Sequence, residues 1–231
     1  MRIPASTLRH TRRACSPSAN RAFSLIELVM VMAMIGLMAS FSVPALSSIA
    51  GARGVGQGSY DVVALLELAR NEAVARHTYV WVGAQNVSGH SGTELQLAAV
   101  CSLDGSNSNT NAANLKSLTQ VIRVRNVAMT PWQSLKSSTR ALYTKSTPSS
   151  IADNQAGLTF TSGTSPFNGK TVTFTPRGQA ILNAVPGRDS GYDPVIDISF
   201  RQSQGGSVQP EADDAAVLID GSTGMSRILR F

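Results

Sequence analysis

The sequence predicts an α+β protein in which a long amino-terminal transmembrane helix packs on an antiparallel β-rich head. Three observations carry this: an apolar run at Phe23–Val43, a helical spacing of apolar residues from Val62 to Ala73, and a change to period two after His77. The chain then divides into a leader peptide at 1–22, a membrane helix at 23–43, an extension with a glycine-rich joint at 44–77, and an extracytoplasmic head at 78–231.

The charge supports the first boundary. Arg2, Arg9, Arg12, Arg13 and Arg21 precede any acidic residue, and removing those five leaves 15 basic against 14 acidic side chains. The formal charge of +6 is therefore mostly a property of the first 22 residues, which read as a targeting segment.

Phe23–Val43 contains one charged residue, Glu27. Its 21 residues at ~1.5 Å each reach ~31 Å, the thickness of a hydrocarbon layer. Arginines before the run and none within it place the amino terminus in the cytoplasm and everything after Pro44 outside. An ordinary secretory signal also joins basic residues to an apolar run, with small residues such as Ala39 and Ala45 near its end. Against that reading, the run is longer than the usual ~7–15 residues of a signal core. A carboxylate within it also costs about 2.5–3.5 kcal/mol near a helix centre, and less near an end.

Ala22-Phe23-Ser24-Leu25-Ile26-Glu27 followed by an apolar helix resembles the processing site of type IV pilin-like proteins. The resemblance implies cleavage between Ala22 and Phe23 by a prepilin peptidase and N-methylation of Phe23. It makes Glu27 an assembly group that meets the terminal amine of a neighbouring subunit, an amine with a pKa of about 7.7–8.0 that is largely protonated at neutral pH. Ala22 stands where this family usually has Gly, which bears on the efficiency of processing. Pro44 withholds an amide from the helix and predicts a bend.

Gly51-Ala-Arg-Gly54-Val-Gly56-Gln-Gly58 is too glycine-rich for a strong helix and reads as a flexible or locally melted helical joint. Beyond it Val62, Leu65, Leu66, Ala69 and Ala73 line one helix face, and Glu72 and Arg76 are spaced for an ion pair. Residues 65–82, LLELARNEAVARHTYVWV, resemble the helix-to-strand junction of GspH/FimT-like minor pseudopilins.

Short β-rich runs follow at Thr78–Val82, Glu94–Val100, Leu118–Val127, Gly157–Thr161, Thr171–Thr175 and Val195–Gln202. In the last, Ile196, Ile198 and Phe200 alternate with Asp197, Ser199 and Arg201, the pattern of a half-buried antiparallel strand. Ala216–Asp220 and Met225–Phe231 flank Gly221–Gly224 as a closing hairpin, and Thr175–Gly178 is a turn. Ser102–Ser117 and Ser146–Asn154 are polar and read as loops.

The inventory for chemistry is short, and the chain is expected to be a non-enzyme without cofactor or metal. Only His77 and His90 follow the leader, and Ser91 beside His90 lacks the setting of a nucleophile. Asp213, Asp214 and Asp220 lack calcium-loop spacing. Once the leader with Cys15 is removed, Cys101 stands alone.

The function implied by the resemblance is structural: a minor pilin or pseudopilin built into a type II secretion pseudopilus or a type IV pilus. Its implied location is the inner membrane, single-pass, with the head periplasmic and later on a filament. Its implied partners are prepilin peptidase, other pilin or pseudopilin subunits, an inner-membrane assembly platform and the lipid bilayer. Met30, Met32, Met34 and Met38 suit adaptable packing between subunits or plain lipid contact. The alternative is a DNA-binding competence pilin using Arg227 and Arg230, but two arginines without companion lysines make nucleic acid the weaker expectation.

Overall fold

The computed structural model describes residues 24–230 except 90–91, 108, 110, 155–156, 183–192, 205 and 209–211, and side chains outside 41–53 and 204. Two compact units divide at Val43 and Pro44, and the helix α1 (Leu25–Arg76) has residues in both.

The expected α+β organisation around a transmembrane helix is not met. The described residues form mostly antiparallel β-sheet with few helices, and no helix among them is long and apolar enough to cross a membrane. α1 instead runs without a break as a helix of 52 residues from Leu25 to Arg76.

In the second unit α1 is helical through Gly51–Gly58. Tertiary packing explains why glycines serve there. A Cβ on Gly58 would lie 2.7 Å from Cγ1 of Val124, and one on Gly54 would lie 2.9 Å from the carbonyl oxygen of Arg125. The glycines trade helix propensity for close approach to the strands beneath. Val55, Val62, Leu65, Leu66, Ala69 and Ala73 continue the same buried face. The helix ends at His77, which adopts φ 52° while the amide of Thr78 donates to the carbonyl of Ala73.

Two sheets meet that face. The strands are β1 (Val80–Gly89), β2 (Gly92–Ser102), β3 (Leu115–Ser117), β4 (Ile122–Arg125), β5 (Val127–Met129), β6 (Ser149–Ser150), β7 (Phe160–Ser162), β8 (Ser165–Phe167), β9 (Thr171–Phe174), β10 (Ala180–Ile181), β11 (Val195–Gln204), β12 (Ser207–Val208), β13 (Asp214–Asp220) and β14 (Ser226–Arg230). The first sheet runs β10-β9-β1-β2-β3, with β4 also on β2; the second runs β12-β11-β13-β14, with β5 and β6 also on β11. Among the described residues only β6 pairs in parallel. The run expected at Leu118–Val127 is broken at Asn126, whose φ of 57° turns the chain out of the first sheet and into the second.

One face of each sheet joins the helix in the main core, where Val80, Val82, Leu95 and Leu97 meet Ile196, Ile198, Phe200 and Val217. The outer face of the first sheet carries Trp81, Ala98 and Val100, covered by the β7–β8 hairpin with Phe160 stacked on Phe167. The outer face of the second carries Ala216 and Leu218, covered by Trp132, Leu135 and Tyr143. Both sheets are thus covered on two sides. This corrects the half-buried reading of Val195–Gln202, because Asp197 and Ser199 are fully buried.

Candidate functional site

Three regions contain the residues singled out by sequence. The first is the start of α1. Ala22 and Phe23 lie outside the described residues. The carbonyl of Ser24 accepts from the amides of Glu27 and Leu28, which places Glu27 in the first helical turn with its side chain exposed. Acidic charge there suits the positive end of the helix dipole. Leu25, Ile26, Leu28, Val29, Val31, Ile35 and Leu37 are all at least half exposed, as are Met30, Met32, Met34 and Met38. They surround the helix with no polar face. Pro44 falls inside α1, and its side chain is among those not described.

The second region joins the helix to the carboxyl-terminal hairpin. Arg70 donates from Nε to the carbonyl of Thr223 at 2.7 Å. Its guanidinium lies beside Gly178 and Gly224, and Gly224 has φ 65° with room for no Cβ, since one would sit 2.1 Å from the carbonyl oxygen of Gly178. Two turns and one helix therefore share a single arginine. Glu72 and Arg76 form the expected ion pair one turn further on.

The third region is the last strand. Arg227 and Arg230 occupy positions of opposite parity on β14, so their side chains leave on opposite faces. Arg227 lies over the ring of Tyr143 at 4.9 Å from its centroid. Arg230 pairs with Asp213 at 2.5 Å and passes beside Gly56 of α1. They do not make one contiguous basic patch.

Asp213, Asp214 and Asp220 are each engaged within the fold. Asp214, 2 % exposed, accepts from the amide of Lys136 at 2.6 Å and the hydroxyl of Thr139 at 2.7 Å, with Arg201 at 3.7 Å. It pins the covering segment onto the sheet. Asp220 accepts at one oxygen from the amides and hydroxyls of Ser222 and Thr223, and the Ser222 hydroxyl leads in holding its carboxyl below the usual range. Among the described residues no group of three or more His, Cys, Asp or Glu side chains is placed to hold a metal ion. His90 and Ser91 lie outside the described residues. Cys101 is buried and free, and burial pushes its thiol pKa up. The expected loop Ser102–Ser117 winds around Asp104, whose carboxylate accepts from Ser102, Ser106, Asn109 and Asn114.

Asp197 escaped sequence reasoning. It accepts from the hydroxyl of Ser199 at 2.5 Å and of Ser150 at 3.3 Å, while its other oxygen is buried without a partner. Burial pushes its pKa up to about 7. No local signal marked it, because the cover of that face comes from Trp132, Leu135 and Tyr143, distant in the chain.

No protein-family model, curated protein or solved structure matches this chain.

Proposed function

We propose that the chain is a pilin-like subunit, a minor pilin or pseudopilin, which is trimmed between Ala22 and Phe23 and assembles through the start of α1 with its β-rich head on the exported side. The observation that carries this reading is the ring of exposed apolar side chains from Leu25 to Met38, directly behind a prepilin-type junction. Fully burying one such side chain is worth about 1.5–3 kcal/mol, so an apolar cylinder of this kind calls for cover along its whole circumference. Neighbouring subunits supply it, and Glu27 sets their register by meeting a neighbour's terminal amine.

Two measurements test the proposal together. Amino-terminal mass spectrometry is expected to find a mature chain beginning at Phe23; a start near Leu46 would identify an ordinary secreted protein. Glu27→Ala and Glu27→Gln are expected to leave trimming intact and to lower co-purification with partner subunits by about tenfold, the effect of roughly 1.4 kcal/mol. Gln keeps shape and hydrogen bonding but not charge, so its failure isolates the ion pair. Normal assembly of both variants sinks the role given to Glu27.

A further inference from the structure

We infer that the free edge of β14 is a docking site for an extended, acidic strand of a partner protein. β14 terminates the second sheet, hydrogen-bonded to β13 along Ala215–Ile219 and to no other strand among the described residues. A terminal strand offers a row of backbone donors and acceptors that a further strand can complete.

The chemistry of the occupant follows from what flanks that edge. On the side of the sheet covered by Tyr143, a pocket of about 290 Å³ is lined by Tyr143, Lys145, Val195, Leu218, Met225 and Arg227. Arg227 and Lys145 are exposed, and no carboxylate among the described residues pairs with either. Asp220 also borders the pocket, with one oxygen held by four donors of its own turn, so Lys145, Arg227 and Asp220 together leave the lining with a net positive charge of one. On the opposite side of β14, Ile228 packs against the main core and presents an apolar flank. A strand added to β14 therefore meets a net positive charge on one side and the partly buried Ile228 on the other, which selects carboxylate side chains alternating with β-branched apolar ones. Arginine on the edge also acts against a wrong partner. Two copies of β14 brought edge to edge juxtapose like charges, so the same residues that attract an acidic strand disfavour self-pairing. The edge binds such a strand whether or not the chain polymerises.

The probe is a fluorescein-labelled peptide alternating valine and glutamate over seven residues, titrated with the full chain in detergent by fluorescence anisotropy. Binding is expected to be at least tenfold tighter than that of the same peptide with lysine for glutamate, and at least tenfold tighter than that of the same peptide N-methylated at every residue. The double variant Lys145→Glu with Arg227→Glu is expected to reverse the preference, binding the lysine peptide more tightly, which a misfolded protein would not do. Equal binding of the N-methylated peptide overturns strand addition in favour of simple charge attraction. Arg227-dependent binding of duplex DNA with no binding of the acidic peptide overturns the proposal and assigns the edge to nucleic acid.

Discussion

Asp197 and Asp214 are both buried in the second sheet and differ in how fully their oxygens are satisfied. Asp214 is satisfied by an amide, a hydroxyl and a nearby guanidinium. Asp197 has two hydroxyl donors for one oxygen and none for the other, and desolvation outweighs those hydrogen bonds to raise its pKa to about 7, with the Asp153 carboxylate adding to the rise. An unfolded aspartate releases its proton near pH ~3.9, so between about pH 4 and 7 the folded state holds more protons. The stability contribution of the protonated form is complete below that window and is lost as pH rises through about 7. Asp197→Asn is expected to flatten the fall of melting temperature between pH 4 and 8 in scanning calorimetry and to raise stability at pH 8 by a few kcal/mol at most, on the scale of roughly 1.4 kcal/mol per pKa unit. An unchanged pH slope would place the titration elsewhere. The sequence revealed which face of Ile196–Phe200 is apolar, because alternation is local. It could not reveal that the polar face is buried too, because the cover arrives from residues 132–143, far away in sequence.

At the level of elements, the helix face from Val62 to Ala73 was legible because its spacing is intrinsic to the α-helix. The glycine run was not, since propensity argues for melting and only packing against Val124 and Arg125 explains the helix. Gly58→Ala therefore tests packing against propensity. Alanine improves an isolated helix by about 1 kcal/mol, but here the added carbon meets Val124, and overpacking costs typically ~1–3 kcal/mol. The expected outcome is a lower urea midpoint with unchanged slope; a higher midpoint would mean that the strand yields. Arg70→Ala, by removing the donor to Thr223, is expected to lower stability by about 1 kcal/mol and to speed amide exchange in the 220–225 turn. Strand order lay outside what periodicity reports: a strand that changes sheets at Asn126 depends on one left-handed residue, which nothing in the pattern of Leu118–Val127 announces.

For the molecule as a whole, the second compact unit begins at Pro44, earlier than the head boundary that the sequence suggested at Thr78. Val55 and Ser59 are buried in it, with the Ser59 hydroxyl donating to the carbonyl of Val55 at 2.8 Å. A fragment of residues 44–231 is therefore expected to melt higher than one of residues 60–231. The lost burial of Val55 alone, about 1.5–3 kcal/mol, corresponds to several degrees in a domain of this size. Equal melting temperatures would show that the first turns of this segment add nothing to the fold.

The hydrogen bond from Arg70 to Thr223 joins positions 153 residues apart, and this separation governs the order in which the chain can fold. The amide of Ala180 likewise donates to the carbonyl of Gly221, so both the helix and β10 wait for the final hairpin. Contacts so remote must overcome loop closure before they return any energy, which places completion late in folding and makes it slow. During synthesis from the amino terminus, α1 and the first sheet emerge long before their latch. A chain interrupted ahead of residue 221 keeps its helix but never fastens it, and its exposed core marks it for proteolysis before any partner can take it up.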